Sequence, residues 1–283
     1  MRLLPALLLL LACLGGQVVA AQSPWVRSKA GAYAQLAFQS IPRYGYIYDA
    51  NGNEKILEQS VTEQALQLYG EYGLSKRTTG IIALPFRSIL ADQNPAFPSP
   101  KPYSSDYFIL RPGNITLSIR HQLGTQNLPI TLTMRADLPS WASRPETGLR
   151  AGFKAFTFMP MLSTGKGYEK AYWFGYGGYA LRTNHYSDFA LVGFEAGRRL
   201  GRFWVIAYSE LQLSMKNRTR QESGSFQRTN LYVNNQAYWS LGLKSVVKMH
   251  RFWGFILGGA GVVDARLLPN KPQYHLGAYF NWE

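Results

Sequence analysis

Few residues in this chain have the types and spacing of a catalytic group. His185, Ser187 and Asp188 fall within four positions and are the residue types of a base, a nucleophile and an orienting carboxylate. Residues so close on one short connection seldom present nucleophile and base to each other, and no second motif supports them. His121, His250 and His275 lie scattered without metal-ligand spacing, and no glycine-rich phosphate loop is present, so no metal or other cofactor is indicated. A more regular set is charged: Arg87, Arg120, Arg135, Lys154 and Arg182 against Glu71, Glu195 and Glu210, with Tyr208 among them. Each sits among alternating apolar neighbours. Turned into a common interior, the set would filter solutes by charge and hydrogen bonding, or would pair with itself and fill the space. With Asp137 counted, cations exceed anions only slightly, so strong anion selectivity is not expected.

Such a set needs strands to position it, because period-two alternation sends successive side chains to opposite faces. The clearest strand is the last. It opens at Tyr274, reads YHLGAYFNW over residues 274–282, and puts Leu276, Ala278, Phe280 and Trp282 on one face. Apolar towards lipid, polar towards a lumen and aromatic at the interface is the pattern of a closing strand in a transmembrane β-barrel. The same run is similar to the C-terminal signal read by bacterial barrel-assembly machinery, although Glu283 follows the terminal aromatic.

Composition agrees. Charged residues make up 16% and aromatics 14%, with 27 glycines and 18 tyrosines. No apolar run after about the first 20 residues is long enough for a membrane helix, so a membrane protein of this sequence must be a barrel. Arg2, the apolar stretch 3–14 and Val19-Ala20-Ala21 form a secretory signal over residues 1–21, leaving a barrel of 22–283. Residues 10–13 also resemble a lipoprotein box ending at Cys13, the sole cysteine, but cleavage there would strand Val18 and Val19 outside the signal. With Arg2 removed, 29 basic residues face 16 acidic ones, a charge of +13. For a secreted chain the expected partners are outer-membrane lipid, lipopolysaccharide phosphates and a small solute, and not nucleic acid.

In order, strand signals begin at Ala30, with Leu36 and Phe38 opposite Gln35 and Gln39, and too few residues precede them for a plug domain. They continue over 61–73, 79–88, 113–123, 129–138, 148–161, 170–183, 188–200, 203–215, 231–244, 252–263 and 274–282. By parity Arg135, Lys154, Glu195, Tyr208 and Glu210 point inward near mid-height. Arg87 and Arg182 lie towards the outer mouth, and Glu71 and Arg120 towards the inner one. Residues 42–60 and 89–112 read as loops, the second holding five prolines. Connections after even-numbered strands are short and most others longer, as periplasmic turns and external loops differ. The expected fold is therefore all-β: a transmembrane, antiparallel, up-and-down barrel of about 12 strands. Tyr72, Trp173, Phe203, Trp253 and Trp282 would form its inner aromatic girdle.

Several segments resemble a family of Gram-negative outer-membrane transporters named for the meta-pathway of phenol degradation. They are YGEYGLSKRTTG over 69–80 running on to Leu84-Pro85-Phe86, GNITLSIR over 113–120, GYALRTN over 178–184, and Glu195-Ala-Gly-Arg198. The resemblance implies an outer-membrane barrel with a channel role, for small aromatic or apolar solutes. The other class to test is a structural or polysaccharide-binding barrel, with Tyr44, Tyr46 and Tyr48 stacking on sugars.

Overall fold

The computed structural model describes residues 23–97, 107–125, 128–220, 222 and 224–282; the signal segment and Cys13 lie outside them. β1 (Ala32–Tyr48), β2 (Glu54–Ser75) and β3 (Thr78–Gln93) lead to β4 (Tyr107–Pro112) and β5 (Thr116–Gln122). These last two pair with successive parts of β3 and act as one crossing. Next come β6 (Ile130–Asp137), a small ladder of β7 (Ser143–Arg144) with β8 (Leu149–Arg150), and β9 (Thr157–Gly167). Then follow β10 (Ala171–Arg182), β11 (Phe189–Leu200), β12 (Phe203–Ser214) and β13 (Ala237–Lys248). β14 (Trp253–Arg266), β15 (Leu268–Pro269) and β16 (Gln273–Trp282) complete the order.

Neighbours are antiparallel, and β1 pairs with both β2 and β16, so the sheet closes on itself as a 12-strand barrel. Closure matters because lipid offers no partner to an open strand edge. Leu66, Leu68, Phe86, Ile119, Val192 and Leu276 project outward as an apolar belt. Ala32 is paired with Trp282 on one side and Tyr72 on the other, which sets those two exposed rings at one level.

The structure departs from the expected boundaries mainly at the outer end. Residues 42–60 are not a loop: β1 runs to Tyr48 and β2 starts at Glu54. Register shifts between Ile41 and Tyr46 hid this, because they turn Tyr44 inward and leave Tyr46 exposed despite their spacing of two. The segment 89–112 is likewise partly strand, as the end of β3 and all of β4.

Two expected strand starts are inward-folded loops instead. Gly148 has φ +75°, and after it Leu149, Arg150 and Ala151 are buried before β9 begins at Thr157. Asn230, Tyr232 and Asn235 also take positive φ, so residues 231–236 cannot continue a strand and β13 begins at Ala237. Leu149 and Leu231 pack with Tyr44, Ile47, Leu57, Val61 and Ile89 in an apolar cluster inside the outer mouth. Their alternation reflected this cluster and not a lipid-facing strand.

Candidate solute-binding lumen

The lumen is built from side chains at alternate positions of the twelve crossings. Near the inner mouth, the Glu71 carboxylate accepts from Arg27 Nε at 2.5 Å and Tyr69 Oη at 2.6 Å, and Arg120 Nη1 lies 3.4 Å away. Arg120 is only 1% exposed and also donates to the Trp25 carbonyl at 3.0 Å. Arg27 reaches Asn281 Oδ1 at 2.8 Å. Thus a short segment before β1 enters the barrel, and Trp25 meets Tyr172 and Phe174 edge-on with centroids 5.8 and 5.9 Å apart. The segment before β1 is no plug domain, but it places one tryptophan in the inner mouth.

At mid-height the acidic groups are held by tyrosines. Glu195 accepts from Tyr172 Oη at 2.6 Å and Lys244 Nζ at 2.7 Å. Glu210 accepts from Tyr176 Oη at 2.7 Å and Tyr238 Oη at 2.5 Å. Arg135 donates to Asp137 at 2.9 Å, and Thr116 Oγ1 donates to the same carboxylate oxygen at 2.6 Å. Tyr208 is buried beneath the Lys244 ammonium, 5.5 Å from its ring centroid. Because an unpaired buried charge is costly, each of these carboxylates needs the two donors it has.

The tyrosines lie flat because glycine stands opposite them. Tyr172 is paired with Gly197, Tyr176 with Gly193 and Tyr208 with Gly242. A Cβ on any of those glycines would collide with its partner ring. This is a cross-strand arrangement in which an aromatic covers a glycine.

Towards the outer mouth, Glu63 accepts from Tyr44 Oη at 2.7 Å and Tyr232 Oη at 3.2 Å, with Arg87 Nη1 at 4.0 Å. Arg87 also lies over the Tyr232 ring. Arg182 is 6% exposed, with its guanidinium carbon 4.1 Å from the Phe153 ring centroid, 5.0 Å from Tyr186 and 5.3 Å from Phe189. Above them Arg150 pairs with Glu222 at 2.7 Å, donates to Tyr186 Oη at 3.1 Å and covers the Phe226 face at 3.9 Å. Burial raises the Tyr186 hydroxyl above its ordinary value, so it stays neutral and accepts from Arg150.

Between these groups lies a cavity of about 260 Å³. Arg87, Arg135, Asp137, Arg182, Glu210 and Gln67 line its polar side, and Phe153, Met159, Phe189 and Leu191 its apolar side. Of the residues expected in the lumen, Arg87, Arg120, Arg135, Arg182, Glu71, Glu195, Tyr208 and Glu210 all face inward. Lys154 does not. It follows the inward-folded turn at 149–151, lies outside any barrel strand, is exposed, and rests over the Trp141 ring at 5.4 Å. Strand parity cannot be carried through a segment that is not a strand.

Lys244 was missed although its signal was present: it continues the inward series Tyr238, Ser240, Gly242. Trp25 and Arg27 gave no periodic signal, since they precede the first strand.

The residues with the types of a base, a nucleophile and an orienting carboxylate are used otherwise. Ser187 Oγ donates to the Arg218 carbonyl at 2.9 Å, and Asp188 accepts from Arg182 N and Asn217 Nδ2. His185 is exposed with φ +61°. Among the described residues no three histidine or acidic side chains gather as a metal site.

No protein-family model and no curated protein matches the chain. Solved structures do. An outer membrane channel from Pseudomonas putida F1 superposes with TM-score 0.69 at 11% identity, covering 93% of this chain and 100% of that one. The NanC porin superposes with TM-score 0.50 at 9% identity, covering 87% and 98%. Together with the closed sheet and its apolar belt, these likenesses identify the fold as that of an outer-membrane β-barrel.

Proposed function

We propose that this protein is a passive outer-membrane channel for small solutes. Arg87, Arg120, Arg135, Arg182, Glu71, Glu195, Tyr208 and Glu210, together with Lys244, line its path. The observation that carries this reading is the 260 Å³ cavity held open inside the barrel by groups of both signs. Solutes small enough to enter would exchange hydrogen bonds with a lining already organised by tyrosine–carboxylate contacts. Single-channel recording of the refolded full chain in planar bilayers tests it, and discrete conductance steps with weak ion selectivity are expected. Absence of steps in the wild type, and again after Trp25→Ala and after neutralising Glu195 and Glu210, would reject the channel.

A second reading is favoured by the inner and outer mouths, each of which holds inserted chain: Trp25 at one, Arg150 and Phe226 at the other. On that reading the barrel is filled and serves a structural or surface-binding role. The same recordings separate the two.

A further inference from the structure

The charges in the cavity do not balance in one respect. Every inward carboxylate named above has at least two donors: Glu63, Glu71, Asp137, Glu195 and Glu210. Among the cations, Arg87 faces Glu63, Arg135 binds Asp137 and Lys244 binds Glu195. Arg182 is different. Its guanidinium makes no ion pair and no side-chain hydrogen bond among the described residues; its Nε, like that of Arg87, is buried without a partner, and its side chain lines the cavity. Asp188, the nearest acid in sequence, is occupied by the Arg182 backbone amide, Asn217 and Arg218.

A guanidinium stays charged, and the acids that act on this one, Asp137 and Asp188, lie beyond ion-pair distance, so its burial is a cost that three aromatic neighbours offset only in part. Those contacts are to the faces of the rings, and they leave the guanidinium's own N–H edge unused. That edge is the fork that grips a carboxylate through two parallel hydrogen bonds. Close by, Phe189, Leu191 and Met159 supply an apolar wall for the remainder of a ligand. The volume, about 260 Å³, falls just below the roughly 300 Å³ at which drug-sized ligand pockets begin, so the ligand must be small.

We infer that the cavity is a binding site for small organic monocarboxylates, with the carboxylate on Arg182 and an apolar body against Phe189, Leu191 and Met159. This deepens the channel reading by naming the class of solute that the path favours. Its binding component stands whether or not the barrel conducts.

The experiment is calorimetric titration of the full chain in detergent with sodium hexanoate, with hexanamide as a neutral match in shape, and with sodium chloride as a competitor. Hexanoate should bind at one site per chain and at least about tenfold more tightly than hexanamide, since a bidentate charge-assisted pair is lost in the amide. Arg182→Gln should weaken hexanoate by at least about tenfold and hexanamide by much less. Equal affinity for hexanoate and hexanamide would overturn the inference, as would displacement of hexanoate by an equal concentration of chloride. The comparison of the two ligands uses wild-type protein alone, so it decides the matter even if the variant does not fold. Conductance recorded without hexanoate keeps the two readings apart. Conductance without hexanoate binding removes the carboxylate site and leaves the channel, whereas binding without conductance does the reverse.

Discussion

Both mouths of the barrel hold inserted chain, but they are built differently. The outer one is narrowed by two loops anchored at both ends, which bury Leu149 and Leu231 in an apolar cluster and place Arg150, Glu222 and Phe226 above it. The inner one is narrowed by the segment before β1, whose contacts include Trp25 against two rings, the Trp25 carbonyl on Arg120, and Arg27 on Glu71, Asn281 and Thr79. An apolar core resists displacement cooperatively, whereas a segment held by separate polar and ring contacts comes away at the cost of those contacts. The inner obstruction is therefore the weaker of the two.

Four substitutions bear on that contrast. The largest effect is expected at the outer mouth. Glu222→Ala removes the carboxylate shared by Arg150 and Arg220 and should lower stability by about 3–5 kcal/mol in a urea titration followed by gel mobility. A loss below about 1 kcal/mol would make the two mouths equivalent. Leu149→Ala should cost about 2–4 kcal/mol through the cavity it leaves, with conductance unchanged. Trp25→Ala should cost only about 1–2 kcal/mol while raising single-channel conductance severalfold, and an unchanged conductance would show that Trp25 does not limit passage. Smallest is Arg27→Ala, about 1 kcal/mol in the same titration, because Glu71 keeps Arg120 and Tyr69.

The same contrast separates what the sequence makes legible from what it hides. Wherever a strand crosses lipid, its two environments enforce alternation, so Leu66 and Leu68 outward with Glu71 inward, or Ile119 outward with Arg120 inward, were legible from parity alone. At the outer end that constraint lapses. Once β1 and β2 rise past the membrane, bulges reset parity around Tyr44, and apolar residues such as Leu231 and Val233 alternate because they pack under a loop. Lys154 was misplaced for this reason. The partners of the inward charges were not legible either. Which tyrosine meets which carboxylate depends on register across neighbouring strands, and the isolation of Arg182 emerges only once every other pair is placed.

The tyrosines that lie over Gly193, Gly197 and Gly242 bear on the width of the bore. A ring needs a bare backbone opposite if it is to lie along the wall, and β11 supplies two such positions and β13 a third. A methyl group at Gly193 or Gly242 would lift Tyr176 or Tyr208 off the wall and tip it across the axis. The free cross-section of this barrel is thus set as much by three absent side chains as by the large ones present.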